Sequence, residues 1–153
     1  MKTRVYSHRN GIDVLPEDIF KGIIEILEDY HPVIKRNCAK TLKKGLFEPL
    51  TKKGWSGEYR LDTESMISIA SYYKGAGLNI QTGNAARIYA DLLKLQTLFV
   101  KEKITCGIII VPISRTAKEM GYCLASYERL CRELPIFNQV ITMPIVVIGF
   151  EGD

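Results

Sequence analysis

The chain has 153 residues, of which 46% are hydrophobic and 25% are charged. This length and mix are typical of one globular domain and exclude disordered, collagen-like and low-complexity proteins. The longest uninterrupted apolar run, Gly107 to Pro112, is far shorter than the ~20 residues of a membrane span. We therefore expect a single domain over residues 1–153, cytoplasmic and without a membrane partner.

Positive charge is concentrated in one segment of the chain. Residues 35–53 hold seven bases and one acid, a net +6, whereas the whole chain carries +4 and the remainder therefore −2. Such a concentration is typical of proteins that bind a polyanion, and a solvated helix face without a partner is the other interpretation. The bases are Lys35, Arg36, Lys40, Lys43, Lys44, Lys52 and Lys53.

The first third of the chain predicts two helices. Pro16, two acids after it and an apolar stripe with 3.6-residue spacing predict a helix that ends at Pro32. A second helix is expected from about Val33 to Lys44, with Gly45 as its C-terminal cap. Trp55 is expected to anchor the following loop to the core.

After Glu58 the spacing of apolar residues favours strands. A short strand is expected over Glu58 to Asp62, and then a hairpin of two strands, Met66 to Tyr73 and Ala76 to Thr82, around Lys74-Gly75. The later elements are a helix from Asn84 to about Lys101, a buried strand Thr105 to Pro112, helices over about Thr116–Tyr122 and Leu124–Leu134, and a buried strand Ile145 to Phe150. Together they predict an α/β fold, a mixed central sheet with an antiparallel meander flanked by helices.

The hairpin is expected to present one polar and one apolar face. A two-residue turn pairs Tyr73 with Ala76, and therefore Ala70 with Asn79. Inward amides need hydrogen-bond partners or a ligand, whereas a solvated sheet face is the other interpretation. By alternation, the polar face holds Ser68, Ala70, Tyr72, Asn79 and Gln81, and the apolar face Ile67, Ile69, Leu78 and Ile80.

Short motifs in this order and spacing resemble the core of type II restriction endonucleases. They are GLNIQTGN at 77–84, Arg87, DLLKLQ at 91–96, GIIIVP at 107–112, KGW at 53–55 and PIVVIG at 144–149, so the resemblance covers roughly residues 45–151. It is closest to the BglII/BamHI-like branch of the PD-(D/E)xK superfamily, whose core is α-β-β-β-α-β. The resemblance implies duplex DNA as partner, Mg²⁺ as cofactor, and a homodimer, because two-fold related subunits read a palindromic duplex.

In that family the hairpin carries the chemistry. An aspartate on the first strand and a glutamate on the second bind Mg²⁺, and a glutamine follows two residues later in the BglII-like branch. Phosphodiester hydrolysis needs the cation to neutralise developing charge and to activate the attacking water. The corresponding positions here are Ala70, Asn79 and Gln81, of which Gln81 alone matches.

The loss of both carboxylates leaves three explanations open. The chain is a catalytically inactive DNA-binding or regulatory module on the same fold, or an enzyme altered to trap a DNA complex. Alternatively, it is an active enzyme that hydrolyses duplex DNA at a short palindromic site and holds its metal by other carboxylates. The candidates for those carboxylates are Asp62, Glu64 and the helical Glu25.

The resemblance and the charge distribution together suggest which residues contact DNA. Asn84 and Arg87, which follow the hairpin, are expected to approach a groove. Each has another interpretation, Asn84 as a helix cap and Arg87 as the ion-pair partner of Asp91 four residues later. Phosphate contacts are expected from Lys43, Lys44, Lys52 and Lys53.

Overall fold

The structure, a computed structural model, describes residues 1–152. In chain order its elements are β1 (Lys2–His8), α1 (Gly11–Val14), α2 (Glu17–Asp29), α3 (Ala39–Lys52), β2 (Tyr59–Arg60), β3 (Ser68–Ile69), β4 (Ser71–Tyr73), β5 (Ala76–Ile80), α4 (Arg87–Val100), β6 (Cys106–Pro112), α5 (Ser114–Met120), α6 (Tyr127–Glu133) and β7 (Ile145–Glu151). No helix within residues 1–152 is long and apolar enough to cross a membrane.

Five strands form one mixed sheet in the order β1-β7-β6-β5-β4. The central strands β5, β6 and β7 are parallel, and the edge strands β1 and β4 are antiparallel to their neighbours. Parallel neighbours require crossover connections, which α4 provides between β5 and β6, and α5 with α6 between β6 and β7. The predicted α/β class, a mixed sheet flanked by helices, is confirmed.

The sheet separates two hydrophobic clusters. Leu78 and Ile80 of β5 pack with α2 and α3 on one side, and Leu92 and Leu95 of α4 pack on the other. Strand β6 is buried at every position because its side chains alternate between the two clusters. Burial on both faces explains the continuous apolar run from which this strand was predicted.

The hairpin has the predicted turn and the predicted register. Lys74 and Gly75 both have positive φ, 45° and 83°, as a two-residue hairpin turn of type I′ requires. Tyr73 pairs with Ala76, and Ser71 with Leu78. The register therefore places Ala70 opposite Asn79, as expected.

The first hairpin strand is shorter than predicted, because it breaks at Ala70. Before the break, Ser68–Ile69 pairs with β2 in a separate two-stranded sheet. Ile69 consequently packs in the cluster of α4, not with Leu78 and Ile80, and Ile67 is 50% exposed. The predicted strand from Met66 to Tyr73 and the predicted inward position of Ile67 are therefore wrong.

The second helix also differs from its prediction. It is α3, which begins six residues after Val33 and continues through Gly45 to Lys52. A Cβ atom on Gly45 would lie 2.2 Å from the Tyr30 hydroxyl oxygen, so glycine here permits close packing and is not a cap. Trp55 is 5% exposed and its backbone N–H donates to Leu50, which confirms its expected anchoring role.

Strand β1 was not predicted from the sequence. It pairs with β7 along its full length, from Lys2 opposite Glu151 to His8 opposite Ile145. Its side chains are mostly half-buried or exposed, so it lacks the apolar run that identifies β6 and β7. Thr3 and Val5, β-branched residues alternating with bases, were the available signal.

Candidate functional site

A cleft opens where β5, the break at Ala70 and helices α3 and α4 meet. Its volume is about 400 Å³. Three predicted site residues on the hairpin, Ala70, Asn79 and Gln81, line it together, and so do the predicted DNA contacts Lys43 and Arg87. The remaining lining residues are Glu58, Ser68, Ile69, Ile80, Ala90, Asp91 and Lys94.

Asn79 and Ala70 are joined across the hairpin. The Asn79 side-chain oxygen accepts a hydrogen bond of 2.9 Å from the Ala70 backbone N–H. The other end of the amide, Nδ2, is buried and has no hydrogen-bond partner within residues 1–152. Unpaired buried donors are uncommon in proteins, so this one is notable. The floor of the cleft carries an unsatisfied N–H donor at the position where the resemblance implies a carboxylate.

Gln81 connects the end of β5 to α4. Its side-chain oxygen accepts from the Gly83 N–H at 2.8 Å, and its Nε2 donates to Asp91 Oδ2 at 2.5 Å. Gln81 and Asp91 are 5% and 8% exposed. Both ends of the Gln81 amide are thus committed within the protein, and the amide positions Asp91 in the cleft wall.

Asp91 and Lys43 are titrating groups held partly out of water. Burial raises the pKa of the Asp91 carboxyl, although the Gln81 hydrogen bond and nearby Lys94, Lys43 and Arg87 act in the opposite direction. Burial also lowers the pKa of the Lys43 ammonium, which Asp91 partly offsets. The expected ion pair between Arg87 and Asp91 is not formed, because Asp91 turns to Gln81 and, at 3.9 Å, to Lys94.

Two carboxylates in the cleft, Glu58 and Asp91, were missed as site residues by sequence reasoning. Glu58 accepts a hydrogen bond from the Ser68 hydroxyl. Asp91 carried a usable signal, since it lies on the inward stripe of α4 with Ile88, Leu92 and Leu95. A lone acid on a buried helix stripe indicates a special environment.

The three carboxylates expected to hold a metal lie outside the cleft. Asp62 accepts from the Ser65 backbone and hydroxyl and from the Glu64 N–H, and these bonds lower its pKa within an exposed turn. Glu25 pairs with Lys53 at 2.8 Å in another cavity. In the part of the chain that is described, no three potential metal ligands of the His, Cys, Asp or Glu type come together.

The basic residues of α3 and its end have different surroundings. Lys43 is half-buried in the cleft and Lys44 is exposed. Lys52 pairs with Glu48 at 3.2 Å, and Lys53 with Glu25. The segment after β5 is ordered by Asn84, whose side-chain oxygen accepts from the Ala86 N–H just before α4 begins.

The fold agrees with what comparison with known proteins finds. The family model of the restriction endonucleases BglII/BglIII matches residues 3–150, so the chain belongs to that family. No curated protein matches the chain.

Solved structures with the same fold include two of BglII. The crystal structure of restriction endonuclease BglII complexed with a DNA 16-mer has a TM-score of 0.88 and 16% identity, covering all of this chain and 79% of that one. Free BglII has a TM-score of 0.75 and 14% identity, covering all of this chain and 81% of that one. The restriction-endonuclease resemblance of the motifs is confirmed.

Proposed function

We propose that this protein binds duplex DNA in the cleft as a homodimer, in the cytoplasm, and that it does not hydrolyse the DNA. Family membership and the DNA-bound state of a structural relative support the first part. The single observation that supports the second is the Ala70–Asn79 hydrogen bond, which joins the two positions at which the resemblance implies carboxylates.

The residues of the cleft do not fit a tightly held Mg²⁺. Ala70 offers no side-chain ligand, and the unpaired atom of Asn79 is an N–H donor, which repels a cation. The Gln81 oxygen already accepts from Gly83. Mg²⁺ prefers carboxylate and phosphate oxygens, so this set lacks the charge that binding requires.

The charge of the cleft instead favours an anion. Three bases, Lys43, Arg87 and Lys94, line it against two acids, Glu58 and Asp91. A concave surface with net positive charge raises the local concentration of phosphate groups. Duplex DNA can therefore be held there without a bridging metal.

A second candidate function is Mg²⁺-dependent cleavage of duplex DNA at a short palindromic site. Glu58 and Asp91 favour it, because both carboxylates line the cleft. If they served as ligands, Glu58→Gln or Asp91→Asn would abolish cleavage. Under our proposal, the wild-type protein has no cleavage for these substitutions to remove.

Restoring the two carboxylates tests the proposal. We expect plasmid DNA to remain intact with the wild-type protein in Mg²⁺, and to be cut by the double variant Ala70→Asp, Asn79→Glu in Mg²⁺ but not in EDTA. A preorganised charge of this kind commonly changes a rate by about 10²–10³-fold or more. Cleavage by the wild-type protein at the rate of an ordinary restriction enzyme, lost in Glu58→Gln, would support the second candidate instead.

A further inference from the structure

An arginine and a tyrosine from two separate loops lie against each other at the surface. The guanidinium carbon of Arg36 lies 4.6 Å from the centre of the Tyr122 ring. Tyr122 is 81% exposed, so burial of apolar area does not explain an aromatic residue there. Its contact with Arg36 gives the ring a role at the surface, because a cation over an aromatic face is attracted by the ring.

Backbone hydrogen bonds attach the Tyr122 loop to the end of β5. The Ala85 N–H donates to the Cys123 carbonyl and the Ala125 N–H donates to the Gly83 carbonyl, both at 2.9 Å. Gly83 in turn donates to Gln81 in the cleft. Tyr122 therefore lies beside the edge of the sheet at which the cleft opens.

The Arg36 loop is fixed to the same place. The backbone N–H of Asn37 donates to the Met120 carbonyl at 3.1 Å, just before Tyr122. Asn37 and Cys123, which adjoin the two stacked residues, have positive φ of 64° and 52°. Two loops held by long-range hydrogen bonds thus hold the Arg36–Tyr122 pair in place.

The Arg36 guanidinium lies over the Tyr122 ring without a carboxylate partner among the described residues. Within residues 1–152, Arg36 forms no ion pair with a carboxylate, unlike Arg115 and Arg129. An arginine guanidinium presents five N–H donors in a planar fork. That fork matches the O6 and N7 acceptors that guanine presents in the major groove.

We propose that Arg36, positioned by Tyr122, reads a guanine in the duplex bound at the cleft. This inference rests on the proposed DNA binding and adds sequence preference to it. In a two-fold dimer the pair occurs twice, so one G·C pair is specified in each half-site.

The test begins with selection of the preferred duplex from a random pool by the wild-type protein in EDTA. Binding of that duplex, and of versions with each G·C pair replaced by A·T, is then measured by fluorescence anisotropy. One replacement should weaken wild-type binding roughly tenfold to a hundredfold. For Arg36→Ala and Arg36→Lys the same replacement should have no effect, since lysine keeps the charge but loses the fork.

Matched variants separate reading of a base from general attraction. Tyr122→Phe keeps the ring and should retain the preference, whereas Tyr122→Ala should reduce it. Lys44→Ala, which removes one charge from an exposed lysine nearby in sequence, should weaken all duplexes equally and flatten the dependence on salt by about 0.9 in log–log slope.

The outcomes distinguish the two proposals. If the wild-type protein binds no duplex, the proposed function fails. If it binds duplexes without preference, or if Arg36→Ala weakens every duplex alike with a flatter salt slope, DNA binding stands and the role of Arg36 is overturned.

Discussion

Asn79 determines the electrostatic character of the cleft floor. Its oxygen is used by the Ala70 N–H, and its Nδ2 is the buried donor left without a partner among residues 1–152. A carboxylate at position 79 would instead place negative charge there, next to the bases of the cleft. We propose that asparagine in place of a carboxylate makes the floor of the cleft favour an anion over a cation.

Asp91 should make stability depend on pH in a particular direction. Because its pKa is raised in the folded protein, the folded state binds the proton more tightly than the unfolded chain, and stability is lost as pH rises above the ordinary value of 3.8. Asp91→Asn keeps an acceptor for Gln81 and removes the titration. In urea unfolding, its free energy of unfolding relative to wild type should increase as pH is raised through that range.

Asp62 provides a control of opposite sign. Hydrogen bonds from Ser65 and Glu64 lower its pKa, so its contribution to stability is present above 3.8 and lost as pH falls through the lower, folded-state value. Asp62→Asn should therefore become less stable than wild type as pH rises. If the difference in free energy of unfolding between Asp91→Asn and wild type did not vary with pH, the environment of Asp91 would be wrongly described.

At the scale of the helix, two glycines test the packing of α2 against α3. A Cβ on Gly45 would meet the Tyr30 ring at 2.2–2.8 Å, whereas a Cβ on Gly22 would meet only the Lys53 side chain at 3.6 Å. Gly45→Ala should lower the free energy of unfolding by about 1–2 kcal/mol, since overpacking outweighs the gain in helix propensity. Gly22→Ala should raise the free energy of unfolding by up to about 1 kcal/mol. Thermal and urea unfolding measure the stability of both variants. An equal gain in stability for the two would refute the close contact between Gly45 and Tyr30.

The lysines of helix α3, together with Lys53 just after it, should supply much of the attraction for DNA. Replacing the four lysines expected to contact phosphates by alanine should weaken duplex binding and flatten the slope of log K against log salt by about 0.9 for each phosphate that is no longer neutralised. The replacements are Lys43→Ala, Lys44→Ala, Lys52→Ala and Lys53→Ala. An unchanged slope in a salt titration would show that these lysines form only a solvated face.

Elements with a clear local residue pattern were predictable from the sequence. Strands β6 and β7 are apolar throughout because both faces are buried, and the hairpin register follows from the turn at Lys74-Gly75. Strand β1 depends on pairing with β7, more than 130 residues away in the chain, and its own side chains do not identify it. Gly45 resembled a helix cap because the contact with Tyr30 is visible only in the folded chain.

The candidate site was predictable in part for the same reason. Alternation and register brought Ala70 opposite Asn79 and placed Asn79 and Gln81 on one side. Lys43 was expected to contact phosphate, but its place beside the hairpin depends on how α3 packs. Asp91 had only the signal of an acid on a buried helix stripe, and no local pattern indicated that Glu58 joins the cleft.

For the whole molecule, one sheet positions both proposed DNA-contacting regions. Strands β5 and β6 are parallel, so their carboxyl ends lie at the same edge. The cleft opens beside the end of β5, and the Arg36–Tyr122 pair is attached to the segment that follows it. In the proposed complex, we expect a bound duplex to contact both the basic cleft and Arg36.

Binding and cleavage measured on one sample test the central claim most directly. The preferred labelled duplex is incubated with wild-type protein in EDTA and in Mg²⁺ at matched ionic strength, its binding is followed by anisotropy, and the same sample is then run on a denaturing gel. We predict that the duplex is bound in both conditions and that no cleaved strand appears in either. Binding that requires Mg²⁺, or a cleaved strand that appears only with it, would contradict the account.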